Sequence, residues 1–590
     1  MKNRIRQSFL LLFLFLIFIF INFSLSQEKT SEVRNSTISL QDTILANEYL
    51  DKGKTLFETQ YDSSYFYYGK AKEIYEELSK QYDQEKIWVN LILCSNMQGW
   101  ILKVQGKYEA SIQHFLYAIE IGLRKLGENH RWVASSYNNL GSVYSQKGDQ
   151  DKALEYFIKS LSIIGEKSLL AGLSYNNIGT IYLEKGDYDQ ALEYFQKALT
   201  IRLQVLGEEN TEIAKYYNNI GIAYTGKGDY DKALEFFQKA LSIGLRILGE
   251  DHIYVANNYN NTGTVYSQKG DYDQAIKYYE KSLSIRLKIL GENHQDVAGS
   301  YINIGIIYWK KGDYEKALEI HQKSLTILLR LFEEDNNTVA QNYMYIGNSY
   351  RDKGDYEQAL EYIQKSLTMR HNLFGDKNPD VAESYLNIAK VYERKYDFSL
   401  SLDYCQKSII SLVSQFNDQS IYDNPPLAGI SSESYLLDAL KLKAKILRIS
   451  DQSESSIQLT KTNLEMALST YMLAVELIDK MRTGYKSEGS KLFLGEQVSQ
   501  IYDQAIQTSL KLYDITNEEQ YKQQTFLFME KSKAAVLQEG LAKVQAIQFA
   551  RLPFSLLEEE KQLRIDLAFN DTRLQNEYLK KDSQDIAKIR

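Results

Sequence analysis

One phrase that returns about every 42 residues constrains this chain more than any other feature. It stands most completely at 174–199, SYNNIGTIYLEKGDYDQALEYFQKAL. Its glycine recurs at 106, 148, 186, 228, 270, 312 and 354, Tyr396 takes the next place, and every step is 42 residues except one of 38. Self-similarity at such a period marks stacked supersecondary units. Within one unit Ile178, Gly179 and Tyr182, then Ala191, Phe195 and Ala198, follow spacings of three and four, which puts each set on one face of a helix. Gly186 lies between the sets, where a left-handed residue ends one helix, and Asp187 can cap the next. The spacing predicts a helical hairpin with an apolar face on each helix. Such a hairpin cannot bury both faces alone, so the units must stack.

These residues resemble the tetratricopeptide repeat, whose usual unit has 34 residues. The extra residues here, such as Arg202–Asn210, add about two turns and a loop, at about 3.6 residues per turn. The longer unit is similar to the repeats of kinesin light chains and of many bacterial repeat proteins. The likeness covers about Leu45–Gln415. It implies an all-α fold, a right-handed tetratricopeptide superhelix (α-solenoid) over 44–415, followed by a helical linker domain. Leu45–Leu78 reads as a degenerate first hairpin that caps the stack. The 38-residue step comes from a shortened loop at Gly165–Leu170, where the stack is expected to bend.

The N-terminus carries Lys2, Arg4 and Arg6, then the unbroken apolar run Phe9–Ile21, then small residues before Gln27. Thirteen apolar residues fall short of the roughly 20 that span a bilayer, so 1–26 reads as a signal peptide rather than an anchor. It predicts export to a periplasmic or extracellular location, with no membrane span in the mature chain. Its removal takes three positive charges from a chain of net charge −8, leaving −11. That acidic balance argues against nucleic acid as a partner, which demands a basic face. Two cysteines, Cys94 and Cys405, lie too many repeats apart for a bridge and read as small packing residues. The 46 tyrosines follow the repeat and read as packing residues too.

Residues 27–43 form a polar leader. After Leu412 the pattern fades. Residues 416–432, with Pro425-Pro426, read as a linker. Residues 433–550 regain helical spacing as degenerate repeats, with helices expected at Glu433–Ile449, Ile457–Tyr485, Lys491–Tyr513 and Asn517–Lys543. Residues 551–590, with Leu556, Leu557, Leu563, Leu567 and Leu574, read as a charged amphipathic helix or coiled-coil arm. The stretches 477–494, 502–513, 528–541 and 553–563 resemble the linker of bacterial tetratricopeptide proteins that carry a CHAT domain, a caspase-like peptidase. That resemblance implies a regulatory or substrate-recruiting arm. It supplies no catalytic residue here, since both cysteines sit inside repeats; the signal segment also looks bacterial.

The candidate site is a column of asparagines two places before the small residue of each first helix: Asn139, Asn177, Asn219, Asn261, Asn303 and Asn387, broken by Met97 and Tyr345. In the resembled family this column faces the concave groove and holds the backbone of an extended peptide. A carboxamide suits that role because it both donates and accepts. A second asparagine at 138, 176, 218 and 260 leaves another role open, in which the side chains bind the neighbouring repeat and fix the stack. His130, His252 and His294 share one repeat position with Asn210, Asn336 and Asn378, which fits a turn or helix start better than a metal. No Cys/His cluster has ligand spacing, no phosphate loop or nucleophile elbow is present, and no cofactor is expected. Lys-Gly-Asp recurs as turn chemistry. Asn35, Asn336 and Asn570 fit the glycosylation triplet. The chain reads as a non-enzymatic scaffold for a protein or peptide partner. The alternatives are the sensor half of a CHAT-type cysteine peptidase and a passive self-assembling array, which concentration-dependent light scattering would reveal.

Overall fold

Hairpins form where the sequence places them, because each turn has the residues that its backbone needs. Gly186 adopts φ +72° at the end of the first helix, and Asp187 Oδ1 accepts the backbone N–H of Gln190 at 3.3 Å to start the second. Asp149, Asp229, Asp271, Asp313, Asp355 and Asp397 cap their helices in the same way. Tyr396 replaces the turn glycine and is held at φ +61°, a conformation costly for a residue with a Cβ.

The computed structural model describes residues 40–57, 59–165, 168–332, 335–449, 457–484 and 488–533. The signal segment, most of the leader, the 551–590 arm, Asn35 and Asn570 lie outside them. Among the described residues all regular structure is helical, apart from a single bridge between Val413 and Ile430. The chain divides into two compact units at Glu166/Lys167, within the shortened loop.

The first unit holds α1 (Leu40–Leu56), α2 (Tyr61–Gln81), α3 (Glu85–Val104), α4 (Tyr108–Lys125), α5 (Arg131–Gln146) and α6 (Gln150–Ile164), paired as three hairpins. The second holds five repeat hairpins: α7 (Leu169–Glu184) with α8 (Tyr188–Leu206), α9 (Thr211–Lys227) with α10 (Tyr230–Leu248), α11 (Ile253–Lys269) with α12 (Tyr272–Leu290), α13 (Gln295–Lys310) with α14 (Tyr314–Leu331), and α15 (Asn337–Lys353) with α16 (Tyr356–Phe374). A sixth pairs α17 (Pro379–Arg394) with α18 (Phe398–Leu412), and α19 (Glu433–Ile449), α20 (Ile457–Gly484) and α21 (Glu488–Thr516) follow. Residues 519–533 are helical. Each unit is an α-solenoid of consecutive paired helices. No described helix is long and apolar enough to cross a membrane.

The small residue of each first helix exists for close approach. A Cβ on Gly179 would lie 2.7 Å from the Phe195 ring, and one on Gly221 2.8 Å from Phe237. Both rings are buried. Gly221→Ala is expected to destabilise the second unit by about 1–3 kcal/mol, the usual cost of overpacking. A denaturant titration showing no loss would refute the fit.

Tyrosines form a seam inside the hairpins rather than a single core: Tyr182 stacks on Tyr194 with centroids 5.5 Å apart, and Tyr266 on Tyr278 at 5.4 Å. The recurrent turn lysines do more than turn. Lys227, Lys269, Lys311 and Lys353 reach back to Asp189, Asp231, Asp273 and Glu315 of the preceding repeat at 2.5–3.2 Å. These pairs are exposed, so each contributes about 0–1 kcal/mol.

The proline-containing stretch after α18 is held tightly to the helices. Ser414 N–H donates to Gly429 O at 3.0 Å, and Ser431 N–H to Leu412 O at 2.9 Å. Lys443, fully buried, donates to Gln406 Oε1, Asp423 O and Asn424 Oδ1 at 2.9, 2.7 and 3.2 Å. Burial pushes its amine down to about 8.

Candidate peptide-binding face

First helices of successive repeats carry the asparagine column side by side. In three repeats of the second unit the column residue donates to the paired asparagine one repeat earlier. Asn219 Nδ2 donates to Asn176 Oδ1, Asn261 Nδ2 to Asn218 Oδ1, and Asn303 Nδ2 to Asn260 Oδ1, each at 2.9 Å. Asn177, Asn219, Asn261 and Asn303 are half-buried, as are Asn176, Asn218 and Asn260. In the first unit Asn138 is buried and Asn139 half-buried. The second asparagine therefore has a defined job: it accepts the amide that locks one repeat to the next.

A carboxamide has two N–H donors and an oxygen with two acceptor sites. Each clasp uses one donor and one acceptor site. Among the described residues no other side-chain hydrogen bond engages Asn218 and Asn219, or Asn260 and Asn261, beyond these clasps. Each such pair thus keeps spare donor and acceptor capacity along the same row.

Asn387 departs from the pattern. It is 6% exposed, its Nδ2 donates to Glu383 O of its own helix at 2.9 Å, and its Oδ1 accepts from Arg351 Nη1 at 3.1 Å. Here the row changes character. Trp309 Nε1 donates to Asp352 Oδ2 at 2.9 Å, and Arg351 makes two bonds to the Asp352 carboxylate, both 2.9 Å.

The histidines start helices. His252 and His294 accept the N–H of Tyr254 and Asp296 through Nδ1, both at 3.1 Å, and His130 accepts that of Trp132 at 3.3 Å. Asn210, Asn336 and Asn378 cap in the same place. Among the described residues no group of His, Cys, Asp or Glu gathers to hold a metal. Cys94 and Cys405 are free and buried, and burial pushes both thiols up, Cys94 to about 12.

Sequence reasoning missed an alternation between repeats. Arg202, Arg286 and Arg370 share one position near the end of the second helix, and Gly244, Leu328 and Leu412 hold it in the intervening repeats. Arg286 donates to Ser300 Oγ at 2.8 Å and Arg370 to Ser384 Oγ at 2.9 Å, fourteen residues on. After Gly244 and Leu328 that partner position is a buried asparagine, Asn258 or Asn342, and after Arg202 it is Tyr216. The 84-residue beat was visible in the sequence to anyone aligning repeats two apart.

A family model described as tetratricopeptide repeat matches residues 95–165, 170–245, 212–288, 254–330 and 338–409, over half of the chain. No curated protein matches. Among solved structures the chain is similar to BtubC from P. vanneervenii, at 24% identity over 39% of this chain and 92% of that one, TM-score 0.34. It is also similar to the apo form of RapI, at 17% identity over 62% of this chain and 97% of that one, TM-score 0.46. A third likeness is to a Rap protein complexed with competence and sporulation factor, at 15% identity over 60% and 99%, TM-score 0.38.

Proposed function

Because the chain belongs to the tetratricopeptide repeat family, we propose that it is a protein–protein interaction scaffold whose asparagine row holds the backbone of an extended partner segment. The observation that carries this reading is the set of clasps Asn219–Asn176, Asn261–Asn218 and Asn303–Asn260. They fix the carboxamides in orientation and leave unused hydrogen-bonding capacity at a regular spacing. Adjacent helices lie about 8–10 Å apart and an extended chain advances about 3.3 Å per residue. One clasp would therefore meet a peptide about every third residue, through main-chain groups common to every sequence. The partner is a protein or peptide. The signal-like 1–26 segment supports placing the scaffold outside the bacterial cytoplasm.

Replacing Asn177, Asn219 and Asn261 together with Ala is expected to weaken binding to a library of capped dodecapeptides at least about tenfold, since several charge-neutral bonds of about 0.5–1.5 kcal/mol each are lost. Circular dichroism of the same variant is expected to keep its helix content. Undiminished binding would sink the assignment and leave the clasps a purely structural role.

The likeness of 471–590 to CHAT linkers supports a second reading, in which the same face recruits substrate to a caspase-like peptidase. The mass of the native exported protein decides it: a mass clearly above that of this chain is expected under that reading, and a mass equal to this chain without 1–26 removes it.

A further inference from the structure

One helix of the asparagine row already has a visitor from far along the chain. Within the second unit α9 packs against the second helices α8 and α10, and against α7 and α11, its neighbours among the first helices. A fifth helix also lies against it: α21, which comes after the last repeat hairpin and after α19 and α20. The other four helices decide which side of α9 is left for it. A Cβ on Gly221 would meet the Phe237 ring of α10. Asn219 stands two residues earlier, about 200° round a helix of about 3.6 residues per turn, so it faces away from α10. Its clasp to Asn176 of α7, and that of Asn261 of α11 to Asn218, close the two flanks. The side that remains is the one that carries Asn219. At its other end α21 is anchored: Ile501, Tyr502, Ala505 and Leu512 are buried in one apolar core with Leu437 of α19 and Leu468 of α20. These anchors all stand at or after 501, which leaves the N-terminal half, 488–500, to reach α9 over about 20 Å at about 1.5 Å per residue.

We propose that the N-terminal half of α21 is a built-in occupant of the asparagine row: it covers the row at α9 and must be displaced before a partner segment can run past Asn219. The inference rests on the scaffold reading above. The exchange has a direction. A helix pairs its backbone N–H and C=O groups within itself, so α21 has no main-chain bonds to offer the carboxamides beneath it. An extended segment arrives with those groups unpaired and gains the bonds that α21 does not make. The occupant holds its place because it is tethered to the same unit, and the partner replaces it because it fits the row better.

The test uses the full chain and a library of capped dodecapeptides. Both native cysteines are buried. Lys215→Cys, exposed and one turn from Asn219, is therefore combined with a single cysteine at each of positions 490–497 in turn and treated with a bismaleimide. At least one pair is expected to close within a single chain. The closed form should bind peptides at least about tenfold more weakly than the same variant left open. Val498→Pro, which kinks α21 ahead of its anchors, is expected to abolish the closure and to bind about tenfold more tightly than wild type, as for a face that is open about a tenth of the time. No closure at any position, or closed, open and Val498→Pro forms that bind alike, overturns the inference and leaves the asparagine reading standing. If Val498→Pro fails to fold, the closed and open forms decide alone. If no form binds a peptide, both fall.

Discussion

Arg370→Ala is expected to cost the second unit about 3–5 kcal/mol, the loss seen when one partner of a buried charged pair is removed. Arg370 has no exposed surface. Its guanidinium donates to Asp380 O at 2.8 Å, Ser384 Oγ at 2.9 Å and Gln341 Oε1 at 2.5 Å, and pairs with Glu383 at 3.0 Å. It therefore joins three helices, α15, α16 and α17. Alanine would leave the Glu383 carboxylate and the Gln341 amide in a poorly hydrated site without their donor, besides a cavity the length of the side chain. Arg370→Leu separates the two terms. Leucine fills the same position at 328 and 412, so it restores volume but not the bonds, and should recover only part of the loss. Denaturant titration followed by circular dichroism gives the comparison. Solenoids unfold in segments, so the early transition of the α15–α18 region is the one to follow. If Ala and Leu both cost less than about 1 kcal/mol, the net worth of a typical single hydrogen bond, the guanidinium is not holding these helices together.

The second unit is expected to lose about 3 kcal/mol between pH 6.5 and pH 4 through one residue, His321. It replaces the Phe or Tyr found at 157, 195, 237 and 279. It is 1% exposed, lies against Gly305, and stacks on Tyr345 with centroids 5.4 Å apart. Among the described residues its Nδ1 has no hydrogen-bond partner. Burial pushes the imidazole down from 6.5 to about 4. The folded pKa is thus below the unfolded one. The unfolded chain takes up the proton first as pH falls, so the stability that is complete above pH 6.5 drains away toward pH 4. His321→Phe removes the proton site and keeps the ring. The stability difference between His321→Phe and wild type should grow by about 3 kcal/mol from pH 7 to pH 4, while carboxylates common to both cancel. A difference that stays constant with pH would mean that water reaches the ring.

The helices were legible because their signals are local and repeated. The apolar faces around Gly179 and Phe195, the caps at Asp187 and His252, and the start of the helix at Glu433 all follow from spacing and turn chemistry. Periodicity also flagged the asparagine column, but not what each member does. The clasp between Asn219 and Asn176 joins residues in different repeats, and no single-repeat pattern says which amide faces which. Lys443 was invisible for a related reason: a lysine in a sequence looks solvated until packing from helices far along the chain covers it. His321 could have been found, since it interrupts an aromatic column, and so could the arginines, had alternate repeats been compared instead of adjacent ones.

That alternation bears on how such a gene can change length. Adjacent repeats look interchangeable, yet Arg286 faces Ser300 while Leu328 is followed by Asn342 at the matching place. Deleting a single 42-residue unit would set an arginine opposite a buried asparagine, or two arginine junctions side by side. Deleting two units, as between Arg286 and Arg370, leaves an arginine opposite a serine. Length variants that gain or lose units in pairs are therefore expected to fold better than those changed by one, which would make the double hairpin the module of this solenoid.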